Sequence, residues 1–206
     1  LDQQVKAVVV ACNTSTAHAL EALQEASPVT VLGVIEPGSL AAAAASRTGR
    51  IGVIGTAGTV ASGAYPRAIE ARRPDAVVIQ QACPLFVPFI EEGWFHHAAA
   101  ELVATEYLAP LIQAGVDTVV LGCTHYPLLK PLLARLLGPE VRLIDSAEET
   151  AAAVDRALKE RGLQAEIGNP PVHRFAVSDE AARFLEVGSR FLGSRLTQVE
   201  VVDLAG

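Results

Sequence analysis

Cys12 and Cys123 close two stretches of near-identical pattern, Val5-Lys6-Ala7-Val8-Val9-Val10-Ala11-Cys12-Asn13-Thr14 and Val116-Asp117-Thr118-Val119-Val120-Leu121-Gly122-Cys123-Thr124-His125. Each is a β-branched apolar run that ends in a small residue and a cysteine, then passes through amide or hydroxyl side chains into an alternating apolar stretch of helical period. Each cysteine therefore belongs at a strand-to-helix corner. In open α/β sheets ligands bind at the carboxyl ends of strands, and a helix N-terminus at such a corner favours anions and thiolates. Two corners in matched register predict two similar halves that each present a thiol to a shared cleft.

The rest of the chain alternates in the same way. Strand patterns fall at 5–11, 29–35, 51–55, 76–80, 116–122 and 141–145, with helical patterns near 15–26, 38–47, 57–72, 85–92, 96–114 and 127–137. That order predicts an α/β fold of doubly wound parallel sheets. After Asp145 the texture shifts: Ser146 opens a helix to about Arg161, Gly162 stops it, and Gly168-Asn169-Pro170-Pro171 makes a bend. A strand at 172–177, a helix opened by Ser178 with Glu180 in its first turn, and a strand near 197–203 follow. Glu36-Pro37-Gly38 reads as a turn at which the chain crosses between halves. The expected organisation is two similar doubly wound lobes with the active site between them. One lobe is 36–145; the other, discontinuous, is 1–35 with 146–206. The chain has no Met and begins Leu1-Asp2-Gln3-Gln4, which reads as a helix end entering the first strand. An N-terminal segment of the first lobe is therefore expected to be missing.

Composition narrows the function. A net charge of −7, with 16 basic residues scattered along the chain, argues against a nucleic-acid partner. No apolar run reaches the length of a membrane span and no export signal opens the chain, so a cytoplasmic protein is expected. Three cysteines in that setting read as free thiols. Cys83, in Ala82-Cys83-Pro84, reads as a packed core thiol. Cys12 and Cys123 read as functional, because a helix N-terminus beside each would lower its pKa.

A thiolate on one face of a carbon acid and a thiol on the other would remove and replace a proton with inversion. His125, two residues beyond Cys123, could poise that thiol. Asn13, Thr14 and Thr124 place short polar groups beside the cysteines, and Thr56 and Thr59 read as helix caps able to reach a small carboxylate. Gly52-x-x-Gly55-x-x-Gly58 lacks the spacing of a dinucleotide fingerprint. No metal or cofactor is expected. There is no CxxC or HExxH; His96 and His97 are adjacent and diverge on a helix; Lys6 and Lys159 sit at element ends, and Lys130 lies on an amphipathic helix.

Four motifs, Ala11-Cys12-Asn13-Thr14, Gly52-Val53-Ile54-Gly55-Thr56-Ala57-Gly58-Thr59, Cys83-Pro84-Leu85-Phe86-Val87-Pro88 and Leu121-Gly122-Cys123-Thr124-His125-Tyr126-Pro127-Leu128-Leu129, together resemble glutamate racemase, within the cofactor-independent aspartate/glutamate racemase superfamily. The resemblance implies interconversion of L- and D-glutamate for peptidoglycan, with Cys12 and Cys123 as base and acid. It further implies that Glu91 stands near a catalytic cysteine, and that Asn13, Thr14 and Thr124 contact substrate, where Thr56, Thr59 and His125 are expected as well. The family's Asp-Ser-Gly-rich and Pro-Tyr-Gly loops are not found in this sequence. A small-molecule substrate, no nucleic-acid or membrane partner, and a homodimer are expected. The alternatives are another cofactor-independent racemase, acting on aspartate or a hydantoin, and a catalytically impaired fragment that only binds ligand.

Overall fold

A computed structural model describes residues 4–165, 168 and 171–203, without the Ser194 side chain. The chain divides into two compact units, Leu1–Gln164 and Ala165–Gly206. In the first, β1 (Ala7–Val10) and β2 (Thr30–Gly33) pair in parallel across the helix α1 (Asn13–Ala26). Helix α2 (Ile35–Ala45) then leads to β3 (Arg50–Gly55), β4 (Val77–Ala82), β5 (Thr118–Gly122) and β6 (Arg142–Asp145). These four strands form one parallel sheet in the order β4-β3-β5-β6. Helices α3 (Ala57–Ser62) and α4 (Ala64–Arg72) join β3 to β4, and α5 (Phe86–Glu91) and α6 (Ala98–Gln113) join β4 to β5. A 3-10 turn at Tyr126–Leu129 and α7 (Lys130–Leu137) join β5 to β6, and α8 (Ser146–Glu160) follows. The second unit pairs β7 (Ala176–Val177) in parallel with β8 (Glu200–Val201) across α9 (Ala181–Leu192).

Side chains alternate across a strand, so a strand buried on both sides feeds two cores. On β3 and β5, Ile54, Val119 and Leu121 enter one core with Phe86, Leu108, Leu111 and Tyr126, whereas Ile51, Val53 and Val120 enter the other with Tyr65, Ile69 and Ile144. The double winding read from the sequence is thus present in the packing. Each fully buried Ile, Leu or Phe of this kind contributes roughly 1.5–3 kcal/mol of transfer free energy.

Register fixes the rim where chemistry could occur. Gly55 pairs with Ala82 on one side and Gly122 on the other, so Thr56, Cys83 and Cys123 emerge side by side at the carboxyl ends of their strands. Gly122 has to be glycine here: a Cβ would lie 2.8 Å from the Ile54 carbonyl oxygen and 3.1 Å from Cε2 of Tyr65. The opposite rim is clamped by Asp117, whose carboxylate accepts from the Ser46 hydroxyl at 2.6 Å, from the backbone N–H groups of Arg47 and Thr48 at 2.7 Å each, and from the Thr118 hydroxyl at 3.0 Å.

Local departures from the sequence reading have local causes. Glu36-Pro37-Gly38 is not a turn but the start of α2. Pro37 is tolerated because an amide in the first helical turn has no intrahelical acceptor to lose. The single helix expected over 57–72 breaks at Gly63, which takes φ +64 and serves both as C-cap of α3 and N-cap of α4. The helix expected after Ser178 starts at Ala181, with Glu180 at its N-cap and no side-chain capping bond. The strands expected at 172–177 and 197–203 shorten to two residues each. Asn169 and Pro170 of the expected bend lie outside the described residues.

Candidate active site

Cys12 is the N-cap residue of α1, with φ −76 and ψ 124, and its Sγ accepts from the Ser15 N–H at 3.5 Å. The thiol is exposed. Its partial burial works against the charged form, but hydrogen bonds from the side chain and backbone of Ser15 and from Thr14 outweigh that effect and lower its pKa below the ordinary 9.0. This is the corner anticipated from the sequence.

Cys123 departs from that expectation. A 3-10 turn, not an α-helix, begins at Tyr126, and the Cys123 thiol is buried at 6% exposure. Burial pushes its pKa up, the His125 backbone N–H and the Thr124 hydroxyl pull it back in part, and the charge of Cys12 raises it further. The two thiols therefore sense each other and are biased in opposite directions. Cys83 is fully buried in the core, where desolvation raises its pKa strongly.

Behind Cys123 stands a relay. His125 places Nδ1 4.0 Å from the Cys123 Sγ and Nε2 3.1 Å from Oε1 of Glu91 at the end of α5. The Thr124 hydroxyl lies 3.3 Å from the same Nδ1. The Tyr126 hydroxyl donates to the Cys83 carbonyl at 2.9 Å, tying the loop after β5 to the end of β4.

The polar residues beside Cys12 form a second group. The hydroxyls of Thr14, Thr56 and Thr59 lie within 2.8, 3.0 and 3.1 Å of one another, joining α1 to the N-terminus of α3. Thr56 also caps α3, accepting from the Thr59 N–H at 3.2 Å. Asn13 is 2% exposed; its Oδ1 accepts from the Tyr65 hydroxyl at 2.6 Å, while its Nδ2 is buried with no hydrogen-bond partner among the described residues. A buried amide donor left open in this way favours an arriving anion.

All nine residues singled out from the sequence, Cys12, Asn13, Thr14, Thr56, Thr59, Glu91, Cys123, Thr124 and His125, thus occur in two clusters at strand carboxyl ends. The sequence reading missed Tyr65 and Ser146. Tyr65 is a fully buried phenol on α4, and the Ser146 hydroxyl donates to the Leu121 carbonyl at 3.2 Å. A tyrosine on the apolar face of a helix was the available signal, because a buried phenol needs a partner. A cavity of about 410 Å³ beside Cys123 is lined by Ala11, Val34, Thr124, Asp145, Ala151 and Val154 among others.

The lysines are committed elsewhere: Lys130 pairs with Asp145 and Glu148 at 2.6 Å, Lys159 with Asp155 at 2.6 Å, and Lys6 donates to the Leu163 carbonyl at 3.1 Å. The His97 ring caps α6, its Nδ1 accepting from the Ala99 N–H at 3.1 Å. Among the described residues no group of three His, Cys, Asp or Glu side chains is gathered as a metal site would need, and no helix is long and apolar enough to cross a membrane.

The Asp/Glu/Hydantoin racemase family matches residues 1–154. A glutamate racemase from Geobacter metallireducens is 52% identical over 98% of this chain and 75% of its own length. Among solved structures, glutamate racemase isoform RacE1 from Bacillus anthracis superposes with a TM-score of 0.91 at 40% identity, over 97% of this chain and 74% of that one. The Francisella tularensis glutamate racemase, solved with D-glutamate, gives 0.89 at 36% identity, over 99% of this chain and 76% of that one. The chain spans about three quarters of the length of these relatives and belongs to the Asp/Glu/Hydantoin racemase family, among its glutamate racemases.

Proposed function

We propose that this protein racemises glutamate by a two-thiol proton transfer at Cα. The observation that carries the reading is the opposed bias of Cys12 and Cys123. Hydrogen bonds favour the charged form of Cys12 and burial favours the neutral form of Cys123, so Cys12 is the thiol that ionises first and suits the base, and Cys123 the one that keeps its proton and suits the acid. The Cys12 thiolate takes the α-proton from one face, and the Cys123 thiol gives its proton to the other. The product leaves Cys12 as thiol and Cys123 as thiolate. His125, with Glu91 behind it, stands where a proton can be returned to Cys123. For the mirror-image substrate the roles reverse.

Charge develops on the α-carboxylate as the proton leaves, and donors placed there lower the barrier. The open Asn13 Nδ2 and the Thr14, Thr56 and Thr59 hydroxyls are the donors that suit it, with Thr124 beside Cys123. The reading carries with it supply of D-glutamate for peptidoglycan in the cytoplasm, and assembly as a homodimer.

The test is racemisation in D₂O followed by circular dichroism and by isotope content at Cα. Wild-type enzyme incorporates deuterium as it inverts; Cys12→Ala and Cys123→Ala each abolish inversion, while Cys83→Ala retains it. Inversion that survives the double Cys12→Ala, Cys123→Ala change overturns the mechanism. Inversion of aspartate or a hydantoin in preference to glutamate overturns the substrate. Activity that persists after dialysis against a chelator, with no pyridoxal absorbance, is expected.

A further inference from the structure

We propose that Tyr65 is a positioning residue for substrate: its phenol fixes which way round the Asn13 amide sits and so presents Nδ2, not Oδ1, to the substrate carboxylate. The inference rests on the glutamate racemase reading above. Its basis is one contact and one absence. The Tyr65 hydroxyl and Asn13 Oδ1 are 2.6 Å apart, a separation typical of O–H···O and shorter than the usual N–H···O bond, which puts the carbonyl end of the amide on the phenol. The other end, Nδ2, is buried without a partner among the described residues. An amide turned end for end would aim a carbonyl oxygen at a carboxylate.

Tyr65 is built to do this. Its ring is fully buried between α2 and the end of β5, and it lies within 3.1 Å of where a Cβ on Gly122 would be. Burial raises the phenol pKa well above its ordinary 10.0, which keeps the group a neutral donor. Asn13 adjoins Cys12 in sequence, so the phenol on α4 reaches the substrate only through the amide.

Steady-state kinetics of Tyr65→Phe in both directions test the proposal, alongside Asn13→Ala and the double variant. Tyr65→Phe is expected to raise KM for both enantiomers about tenfold, with a smaller fall in kcat, since one hydrogen bond to a buried polar group is lost. In the Asn13→Ala background the same change is expected to move KM by less than about twofold, the mark of action through Asn13. An unchanged KM in Tyr65→Phe, or the same factor in both backgrounds, overturns the proposal. If Tyr65→Phe does not fold, Asn13→Asp decides: it keeps the acceptor that Tyr65 needs and replaces only the open donor. The proposal expects loss of the D-glutamate-induced thermal shift in that variant, and a retained shift overturns it. A wild type that does not racemise glutamate overturns the reading beneath, which separates that failure from a wild type that is active while Tyr65→Phe leaves KM unmoved.

Discussion

Replacing Gly122 by alanine asks how tightly the cysteine-bearing rim is packed. The added methyl would sit 2.8 Å from the Ile54 carbonyl oxygen and 3.1 Å from Cε2 of Tyr65. The first atom is backbone of β3, paired on both sides in the centre of the sheet, and the second belongs to a ring with no exposed surface. Neither can retreat cheaply, so the strain belongs at the upper end of the usual overpacking range, about 2–3 kcal/mol. For a chain of this size each kcal/mol lowers Tm by about 2–4 °C, which gives an expected fall of about 4–12 °C. Because Gly122 leads directly into Cys123 and the added methyl presses on Tyr65, kcat/KM should drop at least about tenfold as well. Gly58→Ala is the contrast. Its only close neighbour is the Thr14 methyl at 3.1 Å, and alanine favours the α3 helix, so Tm should hold while KM for glutamate rises through the displaced Thr14 hydroxyl. Thermal unfolding by circular dichroism and steady-state kinetics read both variants. A Gly122→Ala protein that melts within about 1 °C of wild type would refute the packing argument.

The pH profile of kcat/KM should be a bell shared by both enantiomers, because mirror-image substrates have an equilibrium constant of one. Activity should fall on the acid side as Cys12, lowered from 9.0, gains its proton, and on the alkaline side as Cys123, raised above 9.0, loses its own. Glu91→Gln should lower kcat by up to about a hundredfold while Tm stays close to wild type, since Glu91 acts through His125 at a half-exposed site. Asp117→Asn should leave kinetics unchanged and cost about 2 kcal/mol at neutral pH, measured by urea unfolding. Burial opposes the charged form of Asp117, but its hydrogen bonds from Ser46, Thr48 and Thr118 hold its carboxyl well below 3.8. The stabilisation is therefore present above the unfolded-state pKa and is lost as pH falls through the folded one, and wild type and variant should converge in acid.

The sheet was legible because β-branched runs buried on both faces have few other ways to fold, and the strand-end positions of the two cysteines because a small residue and a thiol follow each run in the same order. Of the threonines read as caps, Thr56 caps α3 as expected, whereas Thr59 lies inside that helix and donates its backbone N–H to the cap. Other features depend on contacts distant in sequence. The raised pKa of Cys123 comes from burial beneath α5 and the Tyr126 loop, which a local helix-terminus argument cannot see. The Tyr65 to Asn13 bond spans 52 positions and depends on Gly122 leaving room for the ring. Pro37 and Gly63 mislead in opposite senses, one a turn residue accommodated in a helix and the other a helix interior position that becomes a cap.

The three threonine hydroxyls own three protons, and their three mutual contacts use all of them. An incoming carboxylate thus meets a closed ring and not a set of waiting donors; each hydroxyl that turns toward it gives up a bond to a neighbour. Exchange of that sort adds little net affinity, whereas the open Asn13 amide gains a bond outright. On the function proposed above, the ring is self-satisfied when empty and would be opened by substrate. On that reading, prompt product release is expected from the same three rotatable bonds.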